Sequence, residues 1–105
     1  KEDSMPEITL TNYGWIEREI DKGIKTNPIP PDSVDGLKRY VLDHVEPGGF
    51  LRAVLENNLI EAFAKADAAN RAALHNWCLV VYNYIPGNCW GDSGAVNRWC
   101  ARRED

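Results

Sequence analysis

The side chains best suited to metal binding or nucleophilic chemistry are three cysteines and two histidines. His75 and Cys78 lie three residues apart, and Cys89 and Cys100 follow at wide spacing. These four could converge on Zn²⁺, but no pair has the CxxC or HxxxH spacing of compact zinc motifs. A nucleophilic thiol would need a neighbouring base and a positive environment, and HNWC alone does not supply both. The sequence therefore favours cysteines that serve as small core residues, with zinc binding as a weaker alternative.

Carboxylate pairs and glycine-rich turns are the other patterns with a chemical interpretation. Glu17 with Asp21, and Glu56 with Glu61, lack flanking catalytic residues, so we interpret them as solvated helix faces. PGGF and GDSG could each present free backbone N–H groups at the start of a helix, which suits an anion. Neither matches the lysine-bearing phosphate loop or the dinucleotide fingerprint. A binder of a small anionic ligand, such as a nucleotide signal, stays an alternative, and we predict no catalytic residue, no cofactor and no metal.

The segment YNYIPGNCWGDSG, residues 82–94, contains aromatic, proline and glycine residues in close succession. Pro86 ends the helix before it, and Gly87 permits a reversal of the chain. Asp92 or Ser93 can cap the helix that follows. We interpret this segment first as a corner that joins two helices.

The same corner could also contact a partner. Tyr82, Asn83 and Trp90 would present aromatic and amide groups that give a large contact area at low entropic cost. Trp90 lies in the loop, so we expect it to be exposed. The other tryptophans fall on apolar helix faces and are expected in the core: Trp15, Trp77 and Trp99.

Apolar residues recur every three or four positions through most of the chain, which is the period of amphipathic helices. No alternation of period two extends far enough to form a strand. The sequence predicts an all-α fold, a single compact domain of about five helices with one long central helix. The shorter helices are expected at about 11–22, 33–44 and 50–55 and from Ser93 onward. Gly23 is expected to cap the end of the first helix, and Asp32 or Ser33 the start of the second.

The long central helix is predicted over residues 58–84. Its apolar spacing continues across Asp67, and AFAKADAANRAAL is rich in alanine, the best helix former, with no glycine or proline. The alternative is that Asp67 caps a separate helix that begins at Ala68. We prefer the continuous helix, and its alanine-lined face makes a homodimer an additional expectation.

Length and charge narrow the function classes. The chain has 105 residues, a net charge of −4 and a pI near 5.1. Nucleic-acid binding depends on basic side chains that neutralise phosphates, so we expect no direct binding, and an acidic mimic of nucleic acid is a weaker alternative. No apolar run approaches the ~20 residues that span a bilayer, and the N-terminus has no secretory signal. We expect one cytoplasmic domain at 5–105, with residues 1–4 as a tail or expression scar.

Part of the chain resembles a group of short proteins encoded by bacteriophages and prophages. The resemblance extends from Leu37 to Cys100 and rests on GGFLRAVLENNLIEAFAKAD, on Asn70, on YNYIPGNCWG and on Trp99. The N-terminal TLTNYGWIEREIDKG lies outside it. The resemblance implies a small accessory protein in the cytoplasm of an infected bacterium. Such a protein would bind a host protein or a host defence complex, for example a CRISPR-type system.

From the residues and the resemblance together, we expect a non-enzymatic protein that binds and inhibits a host partner through a rigid helical surface. The expected contact residues belong to the corner and to the polar faces of the third and fourth helices. They are Arg52, Glu56, Asn57, Asp67, Tyr82, Asn83, Trp90 and Asp92.

Overall fold

The computed structural model describes residues 10–103, with side chains from Gly14 onward. Within this range the chain forms seven α-helices and one 3₁₀ turn and no strand, which confirms the all-α prediction. The predicted number of about five helices is wrong. The helices are α1 Leu10–Thr26, α2 Pro31–Asp43, α3 Gly49–Leu55, α4 Leu59–Lys65, α5 Ala68–Ala72, α6 Leu74–Tyr84 and α7 Ser93–Cys100. The 3₁₀ turn, Gly87–Cys89, lies between α6 and α7. The predictions for residues 1–4 fall outside the described residues.

One hydrophobic core joins the helices. α1 packs against α2 and α6, and α3 packs against α4 and also contacts α6 and α7. The buried side chains on each helix recur at helical spacing, as in Ile16 with Ile20 and Trp77 with Val81. Trp77 and Trp99 are core residues as predicted, but the prediction for Trp15 is wrong, because its side chain is 39% exposed. Ile16 and Ile20 occupy the buried face of α1, and Trp15 lies about 100° around the helix from Ile16.

The end of α1 shows why Gly23 is a glycine. Gly23 does not cap the helix, as the sequence analysis expected, because α1 continues to Thr26. Gly23 is buried, and a Cβ atom there would lie 2.6 Å from ring carbons of Tyr84 on α6. The helix ends before Pro28, since proline disfavours a helical conformation for Asn27. Gly23 thus allows α1 and α6 to pack closely.

The start of α2 depends on prolines and not on a side-chain cap. Pro30 is the N-cap residue and makes no side-chain capping bond, and Pro31 opens the helix. Proline suits the first helical position because its φ angle is already helical and its nitrogen needs no acceptor. The prediction that Asp32 or Ser33 caps α2 is therefore wrong. The hydroxyl of Ser33 instead donates a hydrogen bond to Asn70 Oδ1 at 3.2 Å.

The long central helix predicted over residues 58–84 does not exist as one helix. It is divided into α4, α5 and α6, and the alternative, in which Asp67 caps a helix beginning at Ala68, is correct. Ala66 and Asp67 have extended backbone angles, and the Asp67 carboxylate accepts a hydrogen bond from the backbone N–H of Asn70 at 2.8 Å. Side chains such as aspartate compete for backbone N–H groups in this way, which the alanine content alone did not reveal.

Buried polar groups of Asn70 hold this break in place. Asn70 is only 8% exposed, and its Oδ1 accepts hydrogen bonds from Trp77 Nε1 at 2.9 Å and from Ser33 Oγ. A buried amide needs such partners, since an unpaired one is costly. Asn70 therefore ties α5 to α6 and to α2, while α4 is free to turn back against α3.

His44 follows the end of α2 in the left-handed region, at φ 60 and ψ 32, and its ring is buried against Trp99. Its Nδ1 donates a hydrogen bond to the carbonyl of Trp99 at 2.9 Å. The pKa of His44 lies below its ordinary value of 6.5, mainly because the ring is buried. The hydrogen bond to Trp99 and the charge of Asp43 raise this pKa, and the charge of Arg102 lowers it further. The ring is consequently neutral at pH 7.

We expect Gly23→Ala to lower the free energy of unfolding by about 1–3 kcal/mol, because the new Cβ would overlap the Tyr84 ring and force helices apart. Gly36→Ala is the matched control, since Gly36 lies inside α2 with no atom within 4 Å of the added Cβ. That change should raise stability by about 0.5–1 kcal/mol through helix propensity. Urea denaturation measures both, and equal effects of the two substitutions would contradict the close α1–α6 contact.

We also expect a stability change that depends on the protonation of His44. Its pKa is lower in the folded than in the unfolded chain, so protonation favours unfolding, and stability present above about pH 6.5 declines as the pH falls. His44→Asn keeps a residue that tolerates positive φ and removes this titration. Between about pH 7.5 and 5.5, the variant should lose less stability than the wild type. His75→Asn, at an exposed position, serves as the control and should behave like the wild type.

Candidate functional site

Two hydrogen bonds of buried aromatic side chains fix the corner between α6 and α7. The hydroxyl of Tyr40 donates to the carbonyl of Cys89 at 2.7 Å, and Trp99 Nε1 donates to the carbonyl of Tyr40 at 3.0 Å. Tyr40, Cys89 and Trp99 are all almost completely buried. Burial raises the pKa of Tyr40, so its hydroxyl stays protonated and remains a donor. The segment joins α6 to α7, as interpreted, and α2 holds it in place. The prediction for Gly87 is wrong, because Gly87 opens the 3₁₀ turn and the positive φ is at Gly91.

A third bond connects the corner to the end of α3. The N–H of Gly91 donates to the carbonyl of Leu55 at 2.8 Å, and Gly91 has φ +134, where only glycine is unstrained. Two residues beyond Leu55, Asn57 adopts a positive φ of 64 and turns the chain toward α4. Trp90 is therefore held beside the last turn of α3.

These contacts create a groove between α3, α6 and the corner, which we call the uncharged groove. It has a volume of about 330 Å³. None of its lining residues is charged. They are Val54, Asn57, Cys78, Leu79, Val81, Tyr82 and Trp90. Tyr82 is 71% exposed and packs edge-on against Trp90 with ring centroids 5.9 Å apart. The groove thus offers an apolar, partly aromatic surface to a partner.

A second groove shares Trp90 with the first, and we call it the arginine groove. Its volume is about 260 Å³. Asp92, Arg98 and Arg102 line it together with Trp90, Trp99 and other residues of the corner and of α7. Arg102 stacks over the ring of Trp99, with its guanidinium carbon 4.6 Å from the ring centroid.

The structure brings together some of the predicted contact residues and separates others. Asn57, Tyr82 and Trp90 meet in the uncharged groove, and Asp92 lines the arginine groove. Asn83 is on a different side of α6, where it lines a smaller depression with Trp15. The expectation that Trp90 is freely exposed is wrong: its side chain is half-buried and packs against the core.

Arg52 and Glu56 have a structural role that the sequence analysis missed. Arg52 Nε binds Glu56 Oε2 at 2.7 Å, and its other nitrogens bind Glu46 and the amide oxygen of Asn97 on α7. The side chains of Arg52 and Glu56 are 25% and 21% exposed, so neither is the fully exposed contact residue we expected. This network connects α3 to α7, so the charged groups of Arg52 and Glu56 stabilise the fold.

Asp67 and Asp92 are helix caps. Asp67 accepts from Asn70 at the start of α5, and Asp92 accepts from the N–H of Ala95 at 2.8 Å at the start of α7. Ser93, the other candidate cap for α7, is the first helical residue. The Asp92 carboxylate occupies the position that an anion would need at GDSG, so the structure gives no anion site there. α3 begins at Gly49, inside PGGF, and has only seven residues.

Several lining residues were not predicted. Val54 and Leu79 in the uncharged groove, and Arg98 and Arg102 in the arginine groove, were not candidate contact residues in the sequence analysis. Cys78 was considered there only as a zinc ligand, a nucleophile or a core residue. A weak signal was available, because Cys78 precedes Tyr82, and Arg98 precedes Arg102, by four residues. That spacing places each pair on one helix face.

The cysteines do not form a common site. Cys78 is exposed, Cys89 is buried and Cys100 is intermediate. Within residues 10–103 no group of three or more histidine, cysteine or acidic side chains is arranged to hold a metal ion. Burial raises the pKa of both Cys89 and Cys100, which disfavours the reactive thiolate. Zinc binding and thiol catalysis therefore gain no support from the geometry.

The predicted carboxylate pairs have ordinary ion-pair partners. Glu17 and Asp21 both bind Lys38 Nζ, at 3.2 Å and 2.6 Å, and so connect α1 to α2. Glu61 pairs with Lys65 within α4.

The argument for a homodimer also weakens, since it relied on one long helix. The homodimer stays a prediction.

No protein-family model matches the chain, and no curated protein or solved structure is significantly similar to it. In the part of the chain that the structure describes, no helix is both long and apolar enough to span a bilayer. The resemblance to phage proteins therefore stays a prediction. The interpretation of function depends on the two grooves.

We expect Tyr40→Phe to lower the free energy of unfolding by about 1–3 kcal/mol, because it leaves the buried carbonyl of Cys89 without its donor. Tyr82→Phe removes the same hydroxyl from a mostly exposed ring and should change stability by less than about 0.5 kcal/mol. Urea denaturation with tryptophan fluorescence compares the two. A Tyr40→Phe protein as stable as the wild type would show that the corner is held by other contacts.

Proposed function

We propose that this protein is a non-enzymatic phage accessory protein that binds a bacterial host protein through the uncharged groove. Inhibition of a host defence complex, such as a CRISPR-type system, is the outcome that the resemblance favours. The observation that supports binding is the uncharged groove itself, whose lining contains no charged side chain although 27% of the chain is charged.

The composition of this groove is typical of the centre of a protein–protein interface. Such centres are depleted in charged residues and enriched in aromatic ones, and Tyr and Trp are the commonest residues on which binding energy concentrates. Tyr82 and Trp90 supply both, with Tyr82 exposed to an incoming partner. A large aromatic side chain exposed beside apolar neighbours indicates a contact surface more than a solvated face.

The groove is also rigid before a partner binds. Trp90 is packed on the core, and its neighbours are fixed by the bonds from Tyr40 to Cys89 and from Gly91 to Leu55. Rigid contact residues lose little conformational entropy on binding, so more of the contact energy contributes to affinity.

Binding of a small anionic ligand is the second candidate, and Arg98 and Arg102 are the observation in its favour. The uncharged groove has no cation for a phosphate, and the arginine groove includes the carboxylate of Asp92. Asp92 offsets one of the two arginines, so the groove does not supply enough positive charge to balance a multiply charged nucleotide. Protein binding therefore has the stronger support.

The test is retention of a defined protein from bacterial lysate by the immobilised chain, compared between two variants on α6. Tyr82→Asp places a charge in the uncharged groove and should weaken retention at least about tenfold, as expected for a residue on which binding energy concentrates. His75→Asp places the same charge on an exposed residue that does not line the groove, and should retain the partner. Thermal unfolding should show that both variants stay folded.

Equal retention by Tyr82→Asp and the wild type would contradict this proposal. Arg52 and Trp90 are poorer positions for the test, because Arg52 is in the ion-pair network between α3 and α7 and Trp90 packs on the core. Substitutions there would confuse lost folding with lost binding.

A further inference from the structure

Trp90 belongs to the lining of two grooves of different chemistry. It lines the uncharged groove with Tyr82 and the arginine groove with Arg98. A partner segment that crosses Trp90 would therefore contact both grooves at once. The chemistry of the arginine groove then determines which side chain should lie next to the apolar one.

The two arginines are available for a partner. Arg98 and Arg102 are exposed, and neither forms an ion pair with the acidic side chains that the structure describes. Arg52 is different, since it binds both Glu46 and Glu56. Stacking on Trp99 holds the guanidinium of Arg102 in place, so that it is already positioned for an acceptor.

The charge in the arginine groove matches a single carboxylate. Two arginines and one aspartate line it, which leaves a local charge of +1. Asp92 Oδ1 accepts the capping bond from the N–H of Ala95, and among the described residues Asp92 forms no ion pair with either arginine. Arginine binds carboxylates in a planar, bidentate arrangement, which adds geometric selectivity to the attraction.

We propose that the two grooves together recognise a protein segment with an apolar side chain followed or preceded closely by an aspartate or glutamate. The apolar side chain enters the uncharged groove, and the carboxylate binds Arg98 and Arg102 in the arginine groove. This inference rests on the proposed function, because it specifies the partner segment that the same surface would bind. The partner segment is acidic and apolar. Its acidic residue is compatible with this chain, whose net charge is −4, because the charge of the arginine groove is locally positive.

The experiment is selection of peptides from a random display library on the immobilised full chain. The wild type should enrich peptides that combine a large apolar residue with Asp or Glu a few positions away. The double variant Arg98→Gln with Arg102→Gln should keep the apolar preference and lose the acidic one. The single variant Arg98→Gln leaves the Arg102–Trp99 contact intact and should lose part of the acidic preference. It replaces the double variant in this experiment if the double variant does not fold.

A selected peptide is then compared with its analogue in which Asp or Glu becomes Asn or Gln. Binding of the analogue to the wild type should be about tenfold weaker, as expected for one charged hydrogen-bonding group. The two peptides should bind the double arginine variant equally. The same tenfold difference on that variant, or selection of peptides without acidic residues, would overturn the inference.

Failure of this inference is distinguishable from failure of the proposed function. If the enriched peptides are apolar without acidic residues, and Tyr82→Asp abolishes their binding, the uncharged groove binds protein but the arginine groove does not contribute. If enrichment occurs and Tyr82→Asp has no effect, both proposals are wrong. If no peptide is enriched, this inference is wrong, and the proposed function is judged by the lysate experiment.

Discussion

The need to satisfy polar atoms inside the core determines where the corner between α6 and α7 lies. Tyr40 and Trp99 are among the largest fully buried side chains, and each carries one polar group that requires a partner. Both groups bind backbone carbonyls, Tyr40 that of Cys89 and Trp99 that of Tyr40. Because a backbone carbonyl is fixed to its segment of chain, these bonds position the whole segment. The uncharged groove exists because the corner, and Trp90 with it, is held at that place.

A similar constraint divides the alanine-rich region into three helices. The amide of Asn70 is buried and binds Trp77 and Ser33, and Asp67 caps the turn that precedes it. The break allows α4 to pack against α3 and leaves its apolar residues Leu59, Ile60 and Phe63 largely exposed. The polar residues of this region therefore control the path of the chain more than its alanines do.

The polar residues that looked most suitable for contact mostly stabilise the fold. Arg52 and Glu56 connect α3 to α7, and Asp67 and Asp92 cap helices. The recognition that we propose uses instead a set of uncharged and aromatic side chains next to two arginines without acidic partners among the described residues. A charged residue in a sequence thus gives little indication of whether its charge is already used within the fold.

The sequence by itself determined the helical character, the end of α6 before Pro86 and the start of α7 near Asp92, because these depend on neighbours within a few residues. It offered the Asp67 cap only as the alternative to a continuous helix. It also predicted Asn57, Tyr82 and Trp90 as contact residues, but not that they line one groove. Only the tertiary structure decided that residues 58–84 break, that Arg52 is internal to an ion-pair network and that Arg98 adjoins Trp90. The reason is that such features depend on contacts between distant residues, as between Gly91 and Leu55, and local periodicity contains no information about them.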